Sequence, residues 1–176
     1  MKRRRKIIFA VILVLLPFVL LELGMRWLGF GGAVVYKEHP TCGYRPIPNQ
    51  RFETFGRPIR ILNTGFRGPV QFSRLLCIGD SVTYGTARVG DFETFPALLN
   101  AMNAGVNGWG LQNVAAYVKD ELPGGIRTVV WVIPTTDILR PFGKLRGGLI
   151  ATNRPIRLRL EYLFRFLWYG YIATPP

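Results

Sequence analysis

The longest apolar run in the chain is Ile7–Leu21, which contains no charged residue and follows five consecutive basic residues, Lys2–Lys6. Its fifteen residues would span about 22 Å as a helix, whereas the core of a bilayer is about 30 Å thick. Extension to Met25 closes this gap if Glu22 is accommodated. Arg26 follows four residues later, at the spacing that pairs two side chains on a helix. The pattern predicts a transmembrane helix.

A cleaved signal peptide has the same basic start and apolar run. No A-x-A-like site follows cleanly, and Gly31-Gly32-Ala33 is only a weak candidate. We therefore favour a retained membrane anchor over residues 7–25. Because basic residues stay on the cytoplasmic side, the N-terminus is expected in the cytoplasm. Everything after Phe30 is then expected outside the cytoplasmic (inner) membrane, as a periplasmic or other extracytoplasmic part of a single-pass protein.

The pattern changes at Arg74 to apolar strands that alternate with helical segments. The predicted strands are 75–78, 101–106 and 128–133, and the predicted helices are 94–99 and 111–122, the second ended by Pro123-Gly124-Gly125. Strands that alternate with helices form a parallel sheet, so the predicted fold class is α/β. The strand at 128–133 is a possible open edge of that sheet, which a later helix or another polypeptide would have to cover.

The segments on either side of this core differ from it in composition. Residues 31–73 are rich in Pro, Gly, Arg and aromatic residues and are expected to be extended and packed on the core. Residues 141–176 contain a Gly-rich loop and then a helix-like segment, Ile156–Ile172, with Arg157, Glu161 and Arg165 on one face. This helix is either a surface helix of the domain or an amphipathic helix on a membrane or a partner. The predicted divisions are therefore 1–30, 31–73, 74–140 and 141–176.

The formal net charge is +13, and Lys2–Lys6 contribute five of these charges. Much of the remainder lies late in the chain, where Glu161 is the one acidic residue among Arg140, Lys144, Arg146, Arg154, Arg157, Arg159 and Arg165. A basic stretch beside a membrane favours anionic lipid or an acidic protein surface, and a solvated face without a partner is the alternative. We expect no nucleic acid partner, because no nucleic-acid motif is present. We also expect two free thiols, Cys42 and Cys77, and neither a cofactor nor a metal.

Two motifs resemble a known family. The stretch Gly79-Asp80-Ser81-Val82-Thr83-Tyr84-Gly85 resembles the first block of the SGNH (GDSL-like) hydrolases, and Asn103-Ala104-Gly105-Val106-Asn107-Gly108 resembles the second. Further likeness to membrane-anchored bacterial members lies in Gly65-Phe66-Arg67-Gly68 and in Asp91–Pro96. The resemblance implies a flavodoxin-like, three-layer parallel fold. It also implies Ser81 as the nucleophile and Gly108 as a backbone N–H donor to an oxyanion.

The chain departs from the family in two places. The third block has an asparagine that donates to the oxyanion, and this chain has Thr136 there, within Pro134-Thr135-Thr136-Asp137. The Asp-x-x-His pair that activates the serine is absent, and His39, expected to be exposed, is the single histidine. Without an adjacent base, serine is a feeble nucleophile.

Three hypotheses follow from these motifs. The first is a membrane-anchored, non-catalytic protein of incomplete SGNH-like fold that acts as a structural or accessory subunit of a membrane-associated complex. The second is an ester hydrolase or O-acetyl transferase acting on an exported glycan or lipid, with the base supplied from elsewhere. The third is a truncated gene product. We adopt the first, because the histidine and the asparagine are both missing.

Overall fold

The computed structural model describes residues 2–86, 88–145 and 152–168. Its first element, helix α1, covers Lys2–Trp27. The large apolar side chains from Ile7 to Leu23 are 46–67% exposed, so the described part of the chain does not cover them. Among the described residues, α1 is the one helix that is long and apolar enough to cross a membrane. This confirms the coarse part of the prediction, a helix near the N-terminus that is long and apolar enough to span a membrane.

The remaining elements form a mixed helix and sheet structure. The strands are β1 (Tyr36–His39), β2 (Gly43–Pro46), β3 (Gln50–Thr54), β4 (Arg57–Ile61), β5 (Leu75–Ile78), β6 (Met102–Asn103) and β7 (Thr128–Trp131). The helices are α2 (Ser81–Tyr84), α3 (Phe95–Leu98), α4 (Leu111–Asp120), α5 (Thr135–Ile138) and α6 (Arg159–Leu167), with a 3-10 turn at Asp91–Glu93.

The core is a parallel sheet in the order β6-β5-β7. Leu76, Cys77 and Ile78 of the central strand are fully buried, as the continuous apolar run predicts. The predicted strand 101–106 is shorter in the structure, because the Asn103 side chain turns back and accepts a hydrogen bond from the Gly105 N–H at 3.0 Å. This local side-chain bond ends regular pairing after two residues.

Within the segment 31–73, which was predicted to be extended, residues 36–61 form two antiparallel hairpins. In the hairpin β3–β4, Thr54 pairs with Arg57 across a two-residue turn. Phe55 and Gly56 in this turn have φ of 50° and 71°, and two positive values match the twist of the flanking strands. The hairpins do pack on the core as expected, since Tyr36, Tyr44 and Ile61 of these strands belong to the buried apolar cluster.

Arg67 joins the second hairpin to the parallel sheet. Its backbone forms bridges with Ile61, the last residue of β4, and with Asn103 of β6, and its N–H donates to the Asn103 carbonyl at 3.0 Å. Its side chain is fully buried and contacts Asp91 at 3.2 Å. The same guanidinium donates to the Tyr84 and Thr86 carbonyls at 2.8 Å each and to the Val89 carbonyl. One buried cation therefore holds Tyr84, Thr86, Val89 and Asp91 together.

The other side of the sheet is open among the described residues, where β7 pairs with β5 alone. The helix predicted over 156–172 could have covered this edge. In the structure α6 is shorter, Arg159–Leu167, and it packs against α1. Residues 169–172 of that prediction lie outside the described residues.

Both cysteines are buried free thiols, as predicted. Burial raises the pKa of Cys42 to about 11 and also raises the pKa of Cys77. Neither thiol is therefore ionised near neutral pH, which is typical of cysteines that pack as small apolar residues.

We predict that Arg67→Met lowers the free energy of unfolding by about 3–5 kcal/mol, because Asp91 then remains buried without its main cation. Chemical denaturation of the detergent-solubilised protein measures this loss. The matched control is Arg57→Met, which removes an ion pair with Glu93 whose side chains are 48% and 49% exposed. The control substitution should lower the free energy of unfolding by less than about 1 kcal/mol. Equal losses in the two variants would contradict the role given to Arg67.

Candidate functional site

Ser81 lies where the central strand ends and a single helical turn begins. The residue before it, Asp80, caps α2 by accepting a hydrogen bond from the Val82 N–H at 2.9 Å. Gly85 ends the turn with φ of 96°, a conformation that glycine adopts without strain. The sequence therefore places the serine hydroxyl at the carboxyl edge of the sheet, where α/β folds bind ligands.

The second motif is brought beside the first. The Val106 N–H donates to the Gly79 carbonyl at 3.0 Å, which ties the two loops together. Gly105 approaches so closely that an added Cβ would lie 2.3 Å from the Tyr84 nitrogen. Gly108 has φ of 82°, and a Cβ there would lie 2.9 Å from the Tyr44 hydroxyl. Both positions therefore require glycine for the backbone to pass.

A cavity of about 220 Å³ adjoins Ser81. Its wall is mostly apolar and comes from residues 32–34, from the hairpin β3–β4, from α2, from the loop after β6 and from α6. The lining includes Ser81, Asn107, Phe52, Ile59, Tyr84 and Tyr162. Because Asn107 precedes Gly108, the structure places the second motif at the same cavity as the serine. The volume suits a small group rather than a long chain.

The Ser81 hydroxyl has Asp80 as its hydrogen-bond partner. It donates to Asp80 Oδ2 at 3.3 Å, a long contact for an O–H···O hydrogen bond. The Asp80 side chain is buried, and its other oxygen, Oδ1, accepts the hydrogen bond from the Val82 N–H. A carboxylate held in this way orients the hydroxyl but is a much weaker base than an imidazole.

His39 lies far from this turn. Its Nε2 is 3.8 Å from Glu121 Oε2, and its side chain is only 18% exposed, so the prediction of an exposed histidine is wrong. Strand pairing with β2 and the contact with Glu121 bury it. Glu121 follows the last residue of α4, whereas Gly110, beside the second motif, precedes its first. A helix of ten residues is about 15 Å long, so His39 lies at the opposite end of α4 from the site.

Thr136 is exposed on α5, directly after β7. The buried side chain of this turn is its neighbour, Asp137, which is 6% exposed and was not predicted as a site residue. Arg140 Nη1 lies 2.8 Å from Asp137 Oδ1 and 3.6 Å from Asp80 Oδ2, and it donates to the Trp109 carbonyl at 2.8 Å. Arg140 thus joins the ends of β5, β6 and β7. The signal in the sequence was Asp137 itself, followed three residues later by an arginine.

The surroundings of Asp137 shift its ionisation. Burial, the larger cause, and the negative charge of Asp80 raise the pKa of Asp137 above its ordinary value of 3.8, while the Arg140 guanidinium opposes the shift. The site is therefore a serine beside two buried carboxylates that are bridged by the partly exposed Arg140. Within the part of the chain that the structure describes, no three His, Cys, Asp or Glu side chains are placed to hold a metal.

The comparisons with known proteins return no relative: no family model, no curated protein and no solved structure matches this chain.

The raised pKa of Asp137 predicts how stability varies with pH. The folded state binds a proton on Asp137 more readily than the unfolded state, so its contribution to stability falls as pH rises from 3.8 through the raised pKa. Asp137→Asn removes this dependence. We expect the free energy of unfolding of the variant, relative to wild type, to increase over that interval in chemical denaturation at several pH values.

Asp120→Asn is the matched control, since it removes an exposed carboxylate from the end of α4. A relative stability of Asp137→Asn that falls with rising pH would show that the Arg140 pair outweighs burial and would contradict the prediction.

Proposed function

We propose that this protein is a membrane-anchored, non-catalytic protein of SGNH-like fold, a structural or accessory subunit of a membrane-associated complex. The helix α1 supplies the anchor in the cytoplasmic membrane, with the N-terminus in the cytoplasm and the sheet domain outside it. The strand order β6-β5-β7 supports the fold, because in chain order it reads second, first, third, as at the start of a flavodoxin-like sheet.

The observation that carries the proposal is the hydrogen-bond partner of Ser81. Its hydroxyl donates to Asp80, while the single histidine of the chain pairs with Glu121 at the far end of α4. A serine nucleophile needs a base within hydrogen-bond reach to remove its proton. Thr136 also favours a non-catalytic role, because it stands in place of the asparagine that would donate to the oxyanion and its side chain is exposed. Loss of one oxyanion donor lowers turnover roughly a hundred- to a thousandfold.

Protein partners are proposed for the basic C-terminal region. Arg157 is exposed, and Arg154 is 63% exposed despite its 2.8 Å contact with Glu161. Such a surface attracts acidic partners and anionic lipid. The apolar wall of the sheet at β7, which is half-buried and unpaired on one side among the described residues, offers a second place for a subunit to bind.

A second candidate function is an ester hydrolase or O-acetyl transferase that acts on an exported glycan or lipid. The cavity beside Ser81 favours it, since a small acyl group fits about 220 Å³ and Gly108 lies next to a residue that lines it. In this case another polypeptide contributes the base.

We predict that the purified chain neither hydrolyses nitrophenyl esters nor reacts with a fluorophosphonate at Ser81, because no base activates the hydroxyl. Peptide mass spectrometry after labelling measures this directly. Ser73 is the other serine in the sequence and serves as an internal reference for background reaction. Robust labelling of Ser81 in the purified chain, abolished by Ser81→Ala, would contradict the proposal. Labelling seen only in native membranes would favour the second candidate.

The subunit role is tested separately in native membranes. After mild solubilisation we expect the chain to migrate in a large complex and in fixed ratio to other membrane proteins. A chain that migrates alone would contradict this role, whatever the reactivity of Ser81.

A further inference from the structure

Helix α6 is capped by a residue of the membrane helix. The position before α6 is Leu158, which has no side-chain acceptor for the free N–H groups of the first turn. Glu22 of α1 supplies one instead, because its Oε2 accepts a hydrogen bond from the Leu160 N–H at 2.9 Å. Arg26 holds the same carboxylate at 2.7 Å and donates to the Arg157 carbonyl at 2.9 Å.

Aromatic packing also holds α6 to the segment that directly follows α1. The Tyr162 ring is 8% exposed and meets Phe30 edge to face, with ring centroids 5.4 Å apart. Gly31 allows this approach, since a Cβ there would lie 3.1 Å from Tyr162. The start of α6 therefore lies at the level of residues 22–31, where α1 ends.

That level coincides with the predicted membrane surface. Glu22 and Arg26 are the first charged residues after the apolar run, and Trp27 beside them is 87% exposed. Tryptophan and charged side chains at the end of a spanning helix mark the boundary between lipid and water. A helix held to these residues is held at that boundary.

The exposed face of α6 is apolar. Leu160, Phe164, Leu167 and Trp168 follow one another at helical spacing and form one stripe. Phe164 is 65% exposed and stacks on Trp168 at 6.0 Å between centroids, and Trp168 is 46% exposed. The ion pair of Glu161 with Arg165, at 2.9 Å, lies on the neighbouring face.

Two arginines at the start of α6 complete the surface. Arg157 is exposed and Arg159 is half-buried, and neither forms an ion pair with any residue that the structure describes. Arginines beside an exposed aromatic stripe are typical of helices that lie in the headgroup region of anionic membranes.

We propose that α6 is an interfacial helix: its stripe of Leu160, Phe164, Leu167 and Trp168 inserts into the outer leaflet, and Arg157 and Arg159 contact anionic headgroups. This inference rests on the proposed anchoring by α1 but is independent of any activity at Ser81. It places the cavity beside Ser81 close to the membrane, because Tyr162 of α6 lines that cavity.

Spin labels test the insertion. The full chain is reconstituted in vesicles of phosphatidylethanolamine and phosphatidylglycerol with one added cysteine, at Phe164→Cys, Leu16→Cys or Phe72→Cys. The native thiols are both buried. Phe72 is 87% exposed and lies before β5, so it reports the aqueous domain. Collision rates with oxygen report lipid, and those with a soluble nickel chelate report water.

We expect the label at residue 164 to give a ratio of oxygen to nickel collisions several times that at residue 72 but below that at residue 16, because an interfacial helix lies shallower than the middle of a spanning helix. A label at residue 164 that matches residue 72 would overturn the proposal. So would a label shielded from both reagents, which indicates cover by a second copy or another protein. An aqueous label at residue 16 would instead show that the anchoring itself fails.

The roles of the cap and of the arginines are tested on the same label. Glu22→Leu should lower the ratio at residue 164 and leave the ratio at residue 16 unchanged.

Replacing phosphatidylglycerol by phosphatidylcholine should also lower the ratio at residue 164, and the double variant Arg157→Gln with Arg159→Gln should abolish this lipid dependence. Arg74→Gln with Lys119→Gln removes the same charge from exposed positions and should preserve it. A lipid dependence that survives in the Arg157 and Arg159 variant would overturn the headgroup contact.

Discussion

The buried ion pair between Arg67 and Asp91 is the interaction on which the rest of the structure depends. Two ions removed from water are expensive unless every donor and acceptor is satisfied, and here the guanidinium also reaches three backbone carbonyls of the loop 84–91. The Arg67 guanidinium also lies over the Tyr84 ring, with its central carbon 4.6 Å from the ring centroid. The hairpin β3–β4, the parallel sheet and the turn that carries Ser81 all meet at this one side chain. The cavity beside Ser81 exists because these three parts are held together.

Much of the core was predictable from local pattern alone. The apolar run Leu75–Ile78 is a central buried strand because four consecutive apolar residues can be buried on both faces only in such a position. The glycines of the two motifs mark close backbone approaches, and the structure shows the contacts that require them at Gly105 and Gly108. Glu22 and Arg26 pair as their spacing indicates. In each case the cause lies within a few residues of the effect.

The remaining features depend on contacts between distant residues. Phe55 adopts a positive φ that its residue type disfavours, and only the pairing of β3 with β4 makes this conformation the best one. His39 is buried by Glu121, more than eighty residues later, and α6 begins where it does because Glu22 caps it from 138 residues away. The cluster of Asp80, Asp137 and Arg140 forms because the carboxyl ends of parallel strands meet at one edge. No periodicity along the chain reports such long-range partners.

The turn that carries Ser81 therefore serves as a structural junction between β5 and the loop held by Arg67. Ser81 bonds to Asp80 at the end of the central strand, and the single histidine of the chain pairs with Glu121 at the far end of α4. The central claim is that the turn and the hairpin β3–β4 form one cooperative unit through Arg67. Native-state hydrogen exchange tests it most directly, by comparing the Tyr84 amide, bonded to the Asp80 carbonyl at 2.9 Å, with the amides of β3 and β4. The account predicts equal free energies of opening for the two regions. A Tyr84 amide that exchanges freely while the hairpin stays protected would contradict it.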